Sequence, residues 1–341
     1  MSRRLVVDLA ASRAVWRIPP QCVEQIRGAL SGWDVVQPDT PANSDGDGGG
    51  GSPAGNAAAK GAEVYLGYGL PGGVVEASRG TLKWVHTATA GVSPALAALK
   101  GSGVTVTNSR GIHAEPMADW VLAAMLHFAR GFDYAVRAQS QSRWTKDAFT
   151  DGSTRFPEIR DLRLGVFGLG GIGEAVAKRG LALGMKVMGI RRRPGHGGPT
   201  GVKVVGGFEA LGTLALGCDI LAITVPRTPE TAGTVDADIL GKLPRGAVVI
   251  NVSRGGILNE DALLAALESG HLRGAALDVF ATEPLPPDHP LWRHPRVLIT
   301  PHVSAVTARF WDREMALILD NVRRYLGGQR LVNVVDLEAG Y

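Results

Sequence analysis

The sequence predicts an α/β protein of two domains built on doubly wound parallel sheets. Three observations lead there. Residues Leu164–Arg193, LGVFGLGGIGEAVAKRGLALGMKVMGIRRR, read as strand, glycine turn, helix and strand. Residues 1–108 already alternate short apolar runs with helical segments, which makes a small α/β domain of its own. A chain of 341 residues is also long for a single hydrophobic core.

The glycine stretch Gly168-Leu-Gly170-Gly171-Ile172-Gly173 has a specific physical reading. Gly168 permits the sharp turn, and Gly170, lacking a Cβ, lets the backbone approach a pyrophosphate. Gly173 lets the helix lie close on the strand. The helix N-terminus then presents free N–H groups and a positive dipole end to phosphates. A purely structural turn, or a fold for another adenosine ligand, are the other readings. The second strand ends at Arg191, followed by Arg192 and Arg193, where a carboxylate usually holds the ribose 2′-OH. An Asp there would repel a 2′-phosphate, whereas guanidinium groups grip phosphate with charge-assisted bonds. The expected cofactor is therefore NADP(H), with NAD(H) possible. A solvated Arg cluster is the plainer alternative.

Composition narrows the classes. The net charge is +4 and the basic residues are spread along the chain, so nucleic acid is not the expected partner. The two cysteines, Cys22 and Cys218, form neither a metal spacing nor a disulfide framework, which fits a reducing cytoplasm. MSRRLVVDLA carries no apolar signal core, and no run of about 18 apolar residues suggests a membrane span.

In order, strands are expected at Leu5–Leu9, Trp33–Val36, Glu63–Leu66, Lys83–His86 and Val104–Thr107, with helices from Pro20 to Leu30, at Pro71–Arg79 and at Ser93–Leu99. Asn43–Asn56, NSDGDGGGGSPAGN, reads as a flexible surface insert. Thr87–Val92 is a run of small residues after a strand, able to aim backbone N–H groups at a carboxylate or to form an ordinary turn. Ala114–Gly131 is a long apolar helix that packs either on a partner subunit or within the chain, and Arg137–Phe149 is a second helix. Further strands are expected at Asp219–Val225, Ala247–Val252, Ala275–Asp278 and Arg296–Ile299. Pro226, Arg254, Asp278 and His302 follow these strands, where a doubly wound sheet binds ligands.

Three of these residues suit acid–base chemistry. Arg254, beside two glycines, is a fixed cation suited to an acid substrate or a polarised carbonyl. His302 needs a neighbour to set its tautomer, and Glu283, in a proline-stiffened loop, is the natural candidate. Singly, each also reads as a surface ion pair, a loop carboxylate and a structural histidine.

With those residues in place the chain resembles the D-2-hydroxyacid dehydrogenases, in particular glyoxylate/hydroxypyruvate reductase-like members. The carrying motifs are Gly168–Gly173, Asn251-Val-Ser-Arg254-Gly-Gly256, Leu277-Asp278-Val-Phe280 with Glu283-Pro284-Leu285-Pro286, Pro290-Leu291-Trp292, Thr300-Pro301-His302 and Leu331–Val335. The resemblance implies two Rossmann-like domains with the active site in the interdomain cleft: 1–108 with 303–341 for substrate, and 109–302 for NAD(P). It implies a homodimer and reduction of a small 2-oxo acid. His302 would be the acid/base, Glu283 its partner and Arg254 the group on the substrate carboxylate and carbonyl oxygen. Asp278 would hold the nicotinamide carboxamide. Gly171, Ile172, Val225, Pro226 and Thr231 would line the cofactor, as would Val252, Ser253 and Ser304. Ala90, Gly91, Val92 and Leu66 would contact substrate, with Tyr68, His86, Trp144 and Trp292 as further candidate walls. A short phosphoglycerate dehydrogenase and a non-catalytic nucleotide-sensing corepressor are the alternatives.

Overall fold

The structure, a computed structural model, describes residues 3–38, 52–91 and 99–337. The chain forms two compact units, Met1–His113 with Val306–Tyr341, and Ala114–Ala305. Both are α/β units on all-parallel sheets.

The first unit contains β1 (Arg4–Asp8), α1 (Pro20–Ala29), β2 (Asp34–Val36), α2 (Pro53–Ala58), β3 (Val64–Gly67), α3 (Gly72–Ala77), β4 (Trp84–Thr87) and β5 (Thr105–Asn108). Strand order is β2-β1-β3-β4-β5. Every residue of β3 and β4 is buried, as expected of interior strands covered on both faces. Because all pairs are parallel, the carboxyl ends of these strands lie along one edge.

The expected insert at Asn43–Asn56 needs correction at its far end. Ser52 is 1% exposed. Its N–H and hydroxyl donate to the buried Asp8 carboxylate at 3.1 and 3.0 Å, and its Oγ caps α2 by accepting the Gly55 N–H at 2.7 Å. A side-chain cap, a proline at the first helical position and an anchoring carboxylate outweigh the entropy of the local glycine. Residues 43–51 lie outside the described residues, as does nearly all of the helix expected at Ser93–Leu99.

The second unit contains α4 (Ala114–Ala129), α5 (Phe132–Ser140), α6 (Asp147–Thr150), β6 (Arg163–Phe167), α7 (Gly171–Ala182), β7 (Lys186–Ile190), β8 (Lys203–Gly206) and α8 (Leu211–Gly217). It continues through β9 (Ile220–Ile223), α9 (Ala237–Lys242), β10 (Ala247–Asn251), α10 (Glu260–Glu268), β11 (Leu272–Leu277) and β12 (Val297–Ile299). Strand order is β12-β11-β10-β9-β6-β7-β8. The chain runs outward from β6 to β8, then crosses to β9 and runs outward the other way. The switch point therefore lies at the carboxyl ends of β6 and β9, where such sheets form a ligand crevice.

The helix expected at Arg137–Phe149 is replaced by α5 and α6. Ser142 adopts φ 52°, and the Ser142 and Arg143 N–H groups bond back to Gln139 and Ala138 carbonyls at 3.0 and 2.8 Å. This is a Schellman ending, and it stops α5 before Trp144. β8 was not anticipated: it is a half-exposed edge strand without a continuous apolar run. Nor was α11 (Phe310–Leu326), which brings the chain back to the first unit. Its Phe310, Met315, Ile318 and Val322 are buried; the last three join the core of Leu5, Val7, Ile26 and Trp84.

Candidate active site

The glycine turn joins β6 to α7. Gly168 has φ 105°, and a Cβ there would lie 2.5 Å from Val225 Cγ1. A Cβ on Gly173 would lie 2.0 Å from the Gly168 carbonyl oxygen. The Thr224 hydroxyl donates to that same oxygen at 2.8 Å and locks the turn. Gly170 is different. It begins α7 with no side-chain cap, and nothing lies within 4 Å of where its Cβ would be. Its missing side chain therefore serves no protein packing. The first N–H groups of α7, at Gly171, Ile172 and Gly173, have no partners within the helix. Open space above a glycine beside a helix N-terminus fits a dinucleotide pyrophosphate.

At the end of β7, Arg191 Nη1 donates to the Gly197 carbonyl at 2.6 Å and to Glu174 Oε1 at 3.3 Å. Its guanidinium is held in place by its own unit. Arg192 Nε lies 3.5 Å from Glu230, and Arg193 is exposed. In the loop after β9, Val225 is buried and Pro226 exposed. Thr231, expected beside the cofactor, is fully buried. Its hydroxyl donates to the Pro226 carbonyl at 2.6 Å and accepts the Thr228 N–H at 2.8 Å, so it shapes the loop from inside.

The catalytic candidates come from the next three strand ends. After β10, Asn251 Oδ1 accepts the Ser253 N–H and hydroxyl at 3.1 and 2.9 Å, and Asn251 Nδ2 donates to the Arg254 carbonyl at 3.3 Å. Val252 and Ser253 are buried in this turn, while Arg254 is half-buried, its Nη1 2.7 Å from the Ser253 carbonyl. After β11, Asp278 is fully buried. Its carboxylate accepts the Thr300 hydroxyl, the Val303 N–H at 2.8 Å and the Ser304 N–H at 2.9 Å. Asp278, expected to hold the nicotinamide carboxamide, thus anchors the loop that carries His302. The His302 N–H donates to the Asp278 carbonyl at 2.8 Å, and His302 itself adopts φ 53°, an uncommon left-handed conformation for a non-glycine residue.

His302 Nδ1 lies 2.8 Å from Glu283 Oε2, and Glu283 Oε1 accepts the Phe280 N–H at 2.8 Å. Burial works against the Glu283 charge. The hydrogen bonds from His302 and Phe280, with the nearby Arg254 cation, outweigh it and hold the carboxyl below its ordinary range. An ionised carboxylate only accepts, so His302 Nδ1 carries the hydrogen of this bond and the ring's tautomer is set.

In the first unit Leu66 is fully buried in the core, as are His86 and nearly all of Tyr68. They sit on or just after interior strands and so do not wall a surface pocket. Ala90 and Gly91 are half-buried. Their carbonyls accept from Asn108 Nδ2 at 2.9 Å and the Thr89 hydroxyl at 3.1 Å, while their N–H groups donate to no described acceptor. Val92 lies outside the described residues. Trp144 is 96% exposed, and Trp292 donates from Nε1 to the Pro286 carbonyl at 2.9 Å. Among the described residues no three His, Cys, Asp or Glu converge as metal ligands, and no helix is long and apolar enough to cross a membrane. Thr224 and Asn251 were not singled out as site residues. An Asn at a strand end two positions before a Ser is an Asx-turn signal that marks the second of them.

Comparison with known proteins agrees with this geometry. Residues 122–304 match the model of the D-isomer specific 2-hydroxyacid dehydrogenase NAD binding domain. The chain is 36% identical over 278 residues to glyoxylate/hydroxypyruvate reductase A of Serratia proteamaculans (strain 568), covering 78% of this chain and 83% of that one. A D-isomer specific 2-hydroxyacid dehydrogenase from Xanthobacter autotrophicus Py2, solved with NADPH and MES, superposes with a TM-score of 0.78 at 34% identity over the whole of both chains. An NADPH-dependent glyoxylate/hydroxypyruvate reductase from Sinorhizobium meliloti, solved with NADP and sulfate, gives the same TM-score at 28% identity, again over both full chains. A glycine turn built for a dinucleotide, a Glu-supported histidine and an arginine at neighbouring strand ends, together with these matches, place the chain in the D-isomer specific 2-hydroxyacid dehydrogenase family as an NAD(P)-dependent oxidoreductase.

Proposed function

We propose that the protein is an NADP(H)-preferring 2-oxo acid reductase of the glyoxylate/hydroxypyruvate type, with His302 as the acid/base. The 2.8 Å contact between His302 Nδ1 and Glu283 carries this reading, because a carboxylate on Nδ1 fixes the tautomer and favours the imidazolium that an acid/base histidine passes through. Bound reduced nicotinamide supplies the hydride to the keto carbon. His302 delivers the proton from Nε2 to the carbonyl oxygen, and Glu283 stabilises the imidazolium that supplies it. Arg254 holds the carbonyl oxygen and one carboxylate oxygen of the acid, and its fixed charge favours the developing alkoxide. The Ala90 and Gly91 N–H groups hold the carboxylate. In the reverse direction the same Nε2 accepts the hydroxyl proton.

Arg191, Arg192 and Arg193 support NADP(H) over NAD(H), since no carboxylate occupies their positions at the end of β7. Both solved relatives named above contain NADPH or NADP, which supports the same preference. Family membership supports a homodimer, and a monomer's mass by light scattering would overturn that. The test of function is oxidation of NADPH and NADH, followed at the nicotinamide absorbance, with glyoxylate, hydroxypyruvate, pyruvate and phenylpyruvate. Turnover with NADPH in preference to NADH on glyoxylate or hydroxypyruvate supports the reading. Tight NADPH binding without turnover on any of the four sinks it.

A further inference from the structure

We propose that His86 and Glu314 form a buried positioning pair that sets the Ala88–Gly91 loop for the substrate carboxylate, an inference that rests on the reductase reading. Both side chains are 0% exposed, and His86 Nε2 lies 2.9 Å from Glu314 Oε1. The pair spans 228 residues of sequence, from β4 to α11, within the first unit.

The pair belongs to a buried hydrogen-bond network that starts at Trp84. Trp84 Nε1–H reaches Thr107 Oγ1 at 2.8 Å, so that oxygen accepts. The same hydroxyl lies 2.9 Å from His86 Nδ1 and 3.4 Å from the Val85 carbonyl. His86 thus bridges Thr107 Oγ1 and Glu314 Oε1 through its two ring nitrogens. The Ser109 hydroxyl reaches the same Glu314 oxygen at 2.9 Å. Trp84, Thr107, His86 and Glu314 thus form one connected hydrogen-bond relay across β4, β5 and α11.

The relay ends at the loop. His86 is the residue before the last of β4, and Ala88 follows that strand. The Ser109 N–H donates to the Thr89 carbonyl at 3.0 Å, and Asn108 Nδ2 donates to that of Ala90 at 2.9 Å. Glu314 fixes Ser109, and Ser109 fixes the loop, so its Thr89 and Ala90 carbonyls are turned to the end of β5 and its Ala90 and Gly91 N–H groups stay available. A buried histidine and carboxylate carry a desolvation cost that two leucines would not. Glu314 Oε2 is itself buried without a partner among the described residues. The relay contributes one defined loop geometry, which apolar packing would leave adjustable.

The test uses the full chain. His86→Ala and Glu314→Ala should raise KM for the 2-oxo acid by about tenfold or more, the scale of one lost buried hydrogen bond, with kcat and NADPH affinity little changed. Glu314→Gln keeps the accepting oxygen and should return KM to near the wild-type value. Amide hydrogen exchange at Thr87–Gly91 should quicken in both alanine variants while β1 stays protected. Should His86→Ala fail to fold, Thr107→Val removes the hydrogen-bond partner of Nδ1 and should raise KM several-fold, roughly the effect of one weakened link. Unchanged KM, unchanged exchange at the loop, or a Glu314→Gln variant as impaired as Glu314→Ala overturns the proposal. If the wild type reduces no 2-oxo acid, the reductase reading fails, and the exchange measurement still decides whether the pair sets the loop.

Discussion

His302 is held at three points: its N–H on the Asp278 carbonyl, its Nδ1 on Glu283, and its backbone in the left-handed region. So constrained, the ring presents one nitrogen in one direction. His302→Ala should lower kcat by about 10²–10⁴-fold, the range for a positioned acid–base group, with NADPH affinity by fluorescence titration nearly unchanged. Retained turnover would remove His302 from the mechanism. At the other end of the site, Arg191→Asp combined with Arg192→Ala should shift kcat/KM from NADPH toward NADH. An unchanged ratio would mean that some other group reads the 2′-phosphate.

The β6–α7 turn separates two kinds of glycine. Gly173 faces protein, with the Gly168 carbonyl 2.0 Å from any Cβ, whereas Gly170 faces open space. Gly173→Ala should therefore force the turn apart, lowering both thermal stability and NADPH affinity. Gly170→Ala should leave the melting temperature of the free protein near wild type but weaken NADPH binding, because the new methyl occupies the place left for the pyrophosphate. Calorimetry with and without NADPH checks both variants. Equal affinity in Gly170→Ala would show that the phosphates lie elsewhere. α5 teaches a related lesson, since residues Arg137–Phe149 have helix-compatible composition but the Schellman ending at Ser142 stops the helix.

At the scale of the whole molecule, the first unit is assembled from both ends of the chain. Glu63, whose side chain is 11% exposed, gathers Arg3 at 2.7 Å, the Tyr325 hydroxyl at 2.7 Å and Lys83 at 3.5 Å. Hydrogen bonding from Arg3, supported by Tyr325 and Lys83 and opposed by burial, lowers its pKa from 4.5 to about 2. A depressed folded-state value stabilises the fold above the unfolded value and loses that effect as pH falls through the folded one. The contribution is on the order of 2 kcal/mol once the half-exposed Arg3 is allowed for. Denaturant unfolding followed by fluorescence should thus lose stability between pH 4.5 and about 2, and Glu63→Gln should flatten that part of the profile. An identical profile in the variant would mean that other carboxylates carry the acid sensitivity.

The nucleotide unit was legible because its signals are local. A glycine turn between an apolar run and a helix, and chemistry-bearing residues just past strand ends, follow from spacing along the chain. Gly168, Gly173, Arg254, Glu283 and His302 could be named on that basis. What lay beyond reach depended on partners distant in sequence. Ser52 joins the fold through Asp8, 44 residues away, and so escapes the flexible stretch beside it. Leu66 and His86 look like pocket candidates until neighbouring strands cover them. Glu314 acquires its role only when α11 is brought against β4, 228 residues upstream. Periodicity and turn chemistry act over a few residues, so they specify elements and the ends of strands. Burial and hydrogen-bond partnership arise only when the chain closes on itself, so they belong to the folded unit.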